Sequence, residues 1–185
     1  FLMASKFGLR VDAIDLSENM IALAQDRLRE LGYPKTIQLK QADCLQIDAE
    51  QKYNGIYSRD VFLHIPEKQK LFSVLHRALK LKGQLLFTDY CCASPPWDET
   101  FSAYVEKRGY DLQTVADYSA LIEQAGFQVI EALDRTEDFI NFSEQELARI
   151  ETLNATPSVK KHLASDWLAK IQRARDGNQR WGQFL

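Results

Sequence analysis

The sequence has few of the features that mark membrane, secreted or nucleic-acid-binding proteins. No apolar run approaches the roughly 18 residues that a membrane span requires, and no basic segment followed by an apolar one indicates a secretory signal. The 23 Lys and Arg residues against 26 Asp and Glu residues leave no basic excess, which nucleic-acid-binding proteins show. Three cysteines are too few for a disulfide framework. We therefore expect a protein of a reducing, cytoplasmic compartment, with no membrane insertion and no nucleic-acid partner. A monomer is our working expectation, although composition does not determine the oligomeric state.

The chain also lacks the motifs of several chemistries. Cys44, Cys91 and Cys92 show neither the CxxC spacing nor the histidine pattern of a metal site, so we expect no metal and three reduced, non-catalytic thiols. The sequence contains no Ser-His-Asp arrangement and no phosphate-binding loop. It also contains no repeats, low-complexity tracts or linkers, so we predict a single domain over residues 1–185.

Predicted strands and helices alternate along the first half of the chain. Ser17 is a candidate N-cap, and Gly32 followed by Pro34 is a candidate end for the helix that it begins. Gly83 is predicted to stop the next helix. The strands are predicted at residues 11–15, 36–40, 53–58, 84–88, 127–133 and 179–185, and the helices at 18–31, 66–80 and 114–125. Alternation with short connections favours an α/β fold, a mostly parallel sheet with helices on both faces.

The second half of the chain changes character. Residues 91–112 are aromatic and irregular, and residues 143–175 have a largely helical pattern. We expect both segments to cover the carboxyl edge of the sheet as a lid over the substrate. Because ligands of open α/β sheets bind at that edge, the residues just after each strand are the candidates for function.

Two acids follow consecutive predicted strands. Asp15 can accept both hydroxyls of a ribose, although an acid at a helix N-terminus is also favoured by the helix dipole alone. Asp43 can accept an adenine amino group while the backbone N–H of Cys44 donates to the ring, although an Asp in a loop often forms an Asx turn. A nicotinamide enzyme also uses the first acid, whereas the second favours S-adenosylmethionine.

The segment from Tyr57 to His64 is the most informative. If residues 60–64 form a helical turn, Asp60 and His64 lie on one face at i, i+4. An acid that holds a cation would then stand beside an imidazole that takes a proton near pH 7. A structural histidine near a helix start is the alternative. His76 and His162 lie within regular helical patterns and are interpreted as surface or packing residues.

Tyrosines and basic side chains form a second group of candidates. Tyr104 and Arg108 are i, i+4 neighbours in a helix, and Tyr90 and Tyr110 flank them in sequence. Tyrosine hydroxyls and the arginine fork suit a phosphate dianion, although a solvated amphipathic helix would give the same pattern. One basic residue near the C-terminus could reach the phosphate, and spacing does not choose among Lys170, Arg173, Arg175 and Arg180.

These residues resemble those of a known family. The sequence resembles the phosphoethanolamine N-methyltransferases, a branch of the class I S-adenosylmethionine-dependent methyltransferases. The likeness runs in order through nearly the whole chain and is carried by five stretches: VDAIDLSENM (11–20), YSRDVFLHI (57–65), LKGQLLFTDYC (81–91), YVEKRGY (104–110) and KIQRARDGNQRWGQF (170–184). The second, fourth and fifth of these are the most specific to the family.

The resemblance implies a Rossmann-like three-layer fold and a role for each candidate. Asp15 would hold the ribose of S-adenosylmethionine and Asp43 its adenine, and His64 would be the catalytic histidine. Asp60 would contact the substrate amine. The other residues implied at the cofactor are Ile14, Leu16, Cys44 and Arg59, and those at the phosphate end are Tyr90, Tyr104, Arg108, Tyr110 and Lys170. The choice of Lys170 rests on the resemblance alone.

The resemblance also concerns what precedes Phe1. The family's first strand and glycine-rich loop, and an N-terminal tyrosine paired with the histidine, would lie upstream of residue 1. We expect very roughly 50–80 upstream residues, and a few after Leu185, to belong to the protein. The first strand would lie between the strands at 11–15 and 53–58, which would otherwise expose unpaired edges.

The expected activity is N-methylation of phosphoethanolamine or its methylated forms to give phosphocholine. A class I methyltransferase of another small molecule, such as a sterol, quinone or amine, is the first alternative. A non-catalytic remnant is the second, if the upstream loop is absent. A nicotinamide-dependent oxidoreductase is disfavoured because nothing resembles a hydride-transfer site.

Overall fold

The computed structural model describes residues 1–32 and 36–185. The helix predicted to stop at Gly32 ends at Glu30, with Leu31 as its C-cap, whereas Pro34 lies outside the described residues. The chain divides into two compact units, Phe1–Glu50 and Gln51–Leu185. Across the described part of the chain, no helix has both the length and the apolar character needed to cross a membrane.

The first unit is a short helix followed by a strand–helix–strand arrangement. Its elements are α1 (Leu2–Phe7), β1 (Val11–Asp15), α2 (Glu18–Glu30) and β2 (Ile37–Gln41). Gly8 ends α1 with φ 64°, and the Ser17 hydroxyl accepts the Met20 N–H at 3.3 Å as the N-cap of α2. Because β1 and β2 pair in parallel, with Asp15 opposite Gln41, the two strands end at the same edge.

The second unit contains a four-stranded sheet and five helices among the described elements. The strands are β3 (Tyr53–Arg59), β4 (Leu79–Cys92), β5 (Ala132–Asp134) and β6 (Gln179–Phe184), and the helices are α3 (Lys68–Ala78), α4 (Glu99–Arg108), α5 (Val115–Gln124), α6 (Thr136–Ile150) and α7 (Pro157–Arg175). The strand order is β3-β4-β6-β5. β3 and β4 pair in parallel, whereas β6 is antiparallel to both of its neighbours.

Two predictions about individual elements are corrected. The strand predicted at 127–133 is only the three-residue β5, and it extends one residue beyond the predicted end. Gly83 does not stop a helix, because α3 has already ended at Ala78 and Gly83 lies inside β4. A Cβ at Gly83 would stand 2.9 Å from the Lys80 carbonyl oxygen, so this glycine permits a close backbone approach.

The segments predicted to cover the substrate are more regular than their patterns indicated. Residues 91–112, predicted to be irregular, contain the helix α4, which Asp98 caps by accepting the Phe101 N–H at 2.7 Å. The helical region predicted at 143–175 is two helices, and the first begins seven residues earlier than expected, at Thr136.

An aromatic core lies in the second unit. Phe87 of β4 stacks on Phe184 of β6 with ring centroids 4.6 Å apart. The Tyr118 ring packs edge-on against Phe87, and the Phe72 ring packs edge-on against Tyr118. Asp89 is fully buried beside this core, and its Oδ2 accepts a 2.5 Å hydrogen bond from the Tyr118 hydroxyl. Asp89 Oδ1 has no hydrogen-bond partner, so one oxygen of a buried carboxyl is left unsatisfied.

Candidate active site

In the first unit, Asp15 and Asp43 lie at one edge. Asp15 ends β1, and its backbone oxygen accepts the N–H of Ala42, the residue before Asp43. Each carboxylate also caps the turn that follows it: Asp15 Oδ1 accepts from Ser17 N at 2.8 Å and Asp43 Oδ1 from Leu45 N at 2.9 Å. Both acids therefore cap their turns, as the structural alternative for each implied, and each still has a second carboxylate oxygen that can accept a hydrogen bond from a ligand.

Three further candidates flank these acids. Ile14 and Leu16 adjoin Asp15, and Leu16 is 71% exposed. Cys44 begins a single 3-10 turn, and burial, followed by the Asp43 charge, raises the pKa of its thiol. The thiol form of Cys44 is therefore favoured, which suits a lining residue better than a nucleophile.

In the second unit, Asp60 occupies a fixed and unusual position. It follows β3 with φ 54°, and its N–H donates to the Thr88 carbonyl at 2.8 Å. Its Oδ1 accepts the Trp181 indole N–H at 2.9 Å, and its Oδ2 lies 3.9 Å from Arg59 Nε. Burial raises the pKa of the Asp60 carboxyl, against the hydrogen bond from Trp181 and the charges of Arg59 and Lys170.

His64 ends a single 3-10 turn, Phe62–His64, which begins after Asp60. The prediction of one helical turn that contains both residues is therefore wrong, because the left-handed backbone at Asp60 interrupts the helix. The His64 ring instead packs edge-on against Tyr110, with centroids 5.1 Å apart. Partial burial, followed by the charges of Arg108 and Lys68, lowers the pKa of His64 and favours the neutral imidazole.

A buried lysine holds the His64 turn against the Tyr110 loop. Lys68 is 4% exposed, and its ammonium donates to the carbonyls of Ile65 and Asp111 and to Asp111 Oδ1 at 2.7–2.9 Å. The Asp111 N–H also donates to the Leu63 carbonyl at 2.8 Å. His64 lies between the bonded residues Leu63 and Ile65, and Tyr110 immediately precedes Asp111. The hydrogen bonds therefore constrain the position of His64 relative to Tyr110.

Three tyrosines line the same region. Burial raises the pKa of Tyr90, and the nearby Asp60, Tyr104 and Tyr110 raise it further. Burial also raises the pKa of Tyr104 to about 12, and Arg173 and Arg108 oppose that rise. Because the Tyr104 and Tyr110 rings lie edge-on at 5.8 Å, the structure gathers the three predicted tyrosines at one site.

The four basic residues near the C-terminus fall into two groups, according to whether they lie near the predicted site residues. Arg173 lies over the Tyr104 ring at 3.9 Å, and Lys170 pairs with Asp166 at 2.8 Å while its charge reaches Asp60. Arg175 pairs instead with Glu144, and Arg180 lies 3.7 Å from Asp134. Lys170 and Arg173 are therefore the two that lie near the predicted site residues.

Arg108 joins Arg173 at the Tyr104 ring. Its guanidinium carbon lies 5.8 Å from the centre of that ring. Two guanidinium groups therefore lie over one tyrosine ring, which places positive charge beside the Tyr104 phenol.

The remaining histidines pack elsewhere or are exposed, whereas Cys92 lies in the apolar cluster against which Tyr104 and Tyr110 pack. His76 packs against Phe127, with ring centroids 4.9 Å apart, and His162 is exposed, as predicted for surface or packing residues. Burial raises the pKa of Cys92 to about 12, so it is a thiol at neutral pH. Within residues 1–32 and 36–185, no group of three or more His, Cys, Asp or Glu side chains could hold a metal.

Sequence reasoning missed Trp181 and Lys68. Trp181 meets Asp60 across 121 residues, and Lys68 meets Asp111 across 43, so neither contact has a local pattern. Trp181 stands in a stretch that carries the family resemblance, which is the one signal that could have drawn attention to it.

Comparison with known proteins identifies the family. The family described as "Methyltransferase domain" matches residues 1–83. Phosphoethanolamine N-methyltransferase of Plasmodium falciparum is 32% identical over 189 residues, which cover 97% of this chain and 70% of the relative. The chain belongs to the phosphoethanolamine N-methyltransferase family.

A further member of the family shows how much of a longer protein the chain represents. Phosphoethanolamine N-methyltransferase 1 of wheat, Triticum aestivum, is 36% identical, and the match covers 100% of this chain but 38% of the wheat protein. The chain thus spans well under half of that relative.

A solved structure of the family supports the fold. The complex of Haemonchus contortus phosphoethanolamine N-methyltransferase 2 with phosphomonomethylethanolamine and S-adenosylhomocysteine superposes with a TM-score of 0.90 at 30% identity, over 99% of this chain and 44% of that one. The parallel strand pairs and their helices are therefore those of a class I methyltransferase, as the resemblance implied.

Proposed function

We propose that this chain carries the S-adenosylmethionine-dependent N-methylation of phosphoethanolamine, or of its mono- and dimethyl derivatives, to give phosphocholine. One observation supports the proposal: acidic, aromatic and basic side chains of the second unit interact with one another. Asp60 interacts with Tyr90 and Lys170, the His64 ring packs on Tyr110, and Tyr104 contacts Tyr110, Arg108 and Arg173. A small molecule with an ammonium at one end and a phosphate at the other matches this distribution of charge. The phosphomonomethylethanolamine and S-adenosylhomocysteine bound in the Haemonchus complex agree with it.

The first unit suits the nucleoside part of S-adenosylmethionine. Two carboxylates at the ends of adjacent parallel strands present acceptors for hydroxyl and amino groups. Asp15 would hold the ribose hydroxyls and Asp43 the adenine amino group, with Ile14, Leu16 and Cys44 as lining residues. Arg59 is a further candidate at the cofactor. When bound, S-adenosylmethionine supplies an electrophilic methyl group on a sulfonium, and this chemistry requires no metal.

The second unit provides for both ends of the substrate. Arg108, Lys170 and the tyrosine hydroxyls of Tyr90, Tyr104 and Tyr110 suit the phosphate, because guanidinium and ammonium groups donate to its oxygens. Asp60 suits the ammonium, since it is a carboxylate held in a fixed direction. The aromatic faces can also stabilise the methylated ammonium, because each methyl transfer to a neutral amine restores the positive charge on the nitrogen.

His64 is the candidate base. An ammonium has no lone pair, so the substrate nitrogen must lose a proton before it attacks a methyl group. The lowered pKa of His64 keeps the imidazole neutral and able to accept that proton at neutral pH. Anchoring the phosphate orients the nitrogen, which is the second contribution of the site to the rate.

The test is calorimetric titration of the full-length protein with S-adenosylmethionine and with phosphoethanolamine, followed by a product assay with each of the three phosphobases. We expect heat of binding with both ligands and a methylated phosphobase as product. Binding of the cofactor without turnover of any phosphobase would contradict the substrate assignment, and a sterol, quinone or other amine would then be assayed. The cytoplasmic location and the monomeric state remain part of the proposal, and cell fractionation and light scattering test them.

A further inference from the structure

The Asp60 carboxylate is held from several sides. Its backbone has φ 54°, in the left-handed region that side chains other than glycine rarely adopt, and the N–H of Asp60 donates to Thr88 at 2.8 Å. The side chain is about 29% exposed, and Oδ1 accepts the Trp181 indole N–H at 2.9 Å. Oδ2 faces Arg59 Nε at the longer distance of 3.9 Å. One oxygen is thus engaged by a neutral donor, and the other faces a guanidinium beyond hydrogen-bond distance.

Trp181 is itself well anchored. It lies opposite Tyr90 in the β4–β6 ladder, and its ring packs against Phe139 with centroids 5.8 Å apart. Its backbone N–H donates to the Thr136 hydroxyl at 3.1 Å, and its carbonyl accepts the Arg135 N–H at 2.7 Å. A donor fixed at the backbone and at the ring can hold a carboxylate in one orientation.

We propose that Trp181 is a positioning residue, whose indole N–H directs the Asp60 carboxylate toward the amine of the substrate. The proposal rests on the proposed function, in which Asp60 contacts that amine. An indole donates one hydrogen bond and carries no charge, so it fixes Oδ1 without neutralising the carboxylate. The carboxylate keeps its attraction for an ammonium while it loses the freedom to rotate away from it.

The charged groups around Asp60 give this role a pH signature. Burial raises the pKa of Asp60, and the Trp181 hydrogen bond and then the charges of Arg59 and Lys170 oppose that rise. Asp89 and Tyr90 also interact electrostatically with Asp60, which raises the pKa of each. Removing the indole donor therefore raises the pKa of Asp60, and the carboxylate becomes protonated at a higher pH than in the wild type.

Trp181→Phe in the full-length protein is the test, because phenylalanine keeps a ring against Phe139 and removes only the donor. We expect kcat/KM for the phosphobase to fall roughly 10- to 100-fold, the range for a lost hydrogen bond to a charged group. The acid limb of the kcat/KM profile should move to higher pH, while S-adenosylmethionine affinity stays unchanged. Trp97→Phe is the matched control, since the Trp97 indole donates to the Ala93 carbonyl at 2.7 Å and not to a carboxylate.

A second measurement is independent of turnover. In nitrogen–proton spectra the Trp181 indole signal, assigned by its loss in Trp181→Phe, should shift with the titration of Asp60 and should lose that shift in Asp60→Asn. If the wild type turns over a phosphobase and Trp181→Phe has the same kcat/KM and pH profile, the positioning role is wrong and the proposed function stands. If the wild type methylates no phosphobase, the proposed function is wrong. If the indole signal does not shift as Asp60 titrates, the hydrogen bond between Trp181 and Asp60 is absent.

Discussion

At the scale of single residues, Arg108 takes part in two different interactions. It lies at the end of α4, where its guanidinium is 5.8 Å from the centre of the Tyr104 ring. Its charge also lowers the pKa of His64. Arg108 is exposed, and besides these two interactions it is proposed to bind the phosphate. Its effect on phosphate binding and its effect on the pKa of His64 can be measured separately.

The first prediction concerns the phosphate. Arg108→Ala should raise KM for the phosphobase at least tenfold, because a charge-assisted and bidentate contact to the phosphate is lost. The affinity for S-adenosylmethionine should stay nearly the same. Lys107→Ala is the control, since it removes the same charge from the neighbouring exposed residue of α4. An unchanged KM in Arg108→Ala would rule out the phosphate contact.

The second prediction concerns the proton. The neutral imidazole is the active form of a base, and it predominates above the pKa of His64. Arg108→Ala removes a charge that lowers this pKa, so the pKa should rise and the neutral fraction below about pH 7 should fall. Titration of the His64 ring protons by NMR measures the shift directly. A pKa that stays constant or falls in Arg108→Ala contradicts the assigned electrostatic effect.

At the scale of elements, the start of α4 links two parts of the second unit. Asp98 accepts the Phe101 N–H at 2.7 Å, and its second oxygen accepts a hydrogen bond from Asn178, just before β6. Tyr104 and Arg108 lie on this helix, and Trp181 lies on that strand. A single acid therefore fixes both the beginning of the helix and its attachment to the segment that leads to Trp181.

The third prediction follows from this cap. Asp98→Ala should lower the free energy of unfolding by about 0.5–2 kcal/mol, the usual effect of losing an N-cap, and should also raise KM for the phosphobase. Thr114→Ala removes the equivalent cap of α5, where the hydroxyl accepts the Asp117 N–H at 3.0 Å. Urea denaturation should show a similar loss for both variants, whereas steady-state kinetics should show a higher KM in Asp98→Ala alone. Equal KM values in the two would indicate that Asp98 stabilises the fold without orienting α4.

Local signals make these elements predictable, and distant contacts limit the rest. Gly8 at the end of α1 and Ser17 at the start of α2 act within their own turns, so the neighbouring sequence indicates where α1 ends and where α2 begins. Gly83 departs from its local pattern because it lies inside β4, where a Cβ would meet the Lys80 carbonyl of the same strand and the Tyr53 carbonyl of the neighbouring β3. Among the site residues, the side-chain chemistry of Asp60 and His64 indicates function, but the sequence pattern does not reveal that the backbone of Asp60 is left-handed.

At the scale of the whole molecule, Asp89 is a carboxyl within the aromatic core of the second unit. Burial raises its pKa to about 7, against the opposing hydrogen bond from Tyr118. A carboxyl that is protonated more easily in the folded state than in the unfolded state binds more protons when folded. Its contribution to stability is therefore complete below about pH 4 and is lost as the pH rises to about 7.

The fourth prediction uses the neutral isostere. Relative to Asp89→Asn, the wild type should lose roughly 1–3 kcal/mol of unfolding free energy between pH 5 and pH 8, because only the wild type must ionise a buried group. Urea denaturation of both proteins at several pH values measures the difference, and the other titrating groups cancel in the comparison. A difference that does not depend on pH would show that Asp89 has the same pKa in the folded and unfolded states.

The position of β6 also has a consequence for synthesis. Residues 179–184 leave the ribosome after β4 and β5, yet they form the strand that lies between those two. A nascent chain that stops short of residue 179 has no strand to join β4 to β5 and no indole beside Asp60. The proposed substrate site is therefore completed only after almost all of the described chain has been translated, so a product that ends before residue 179 would lack the Trp181 contact to Asp60.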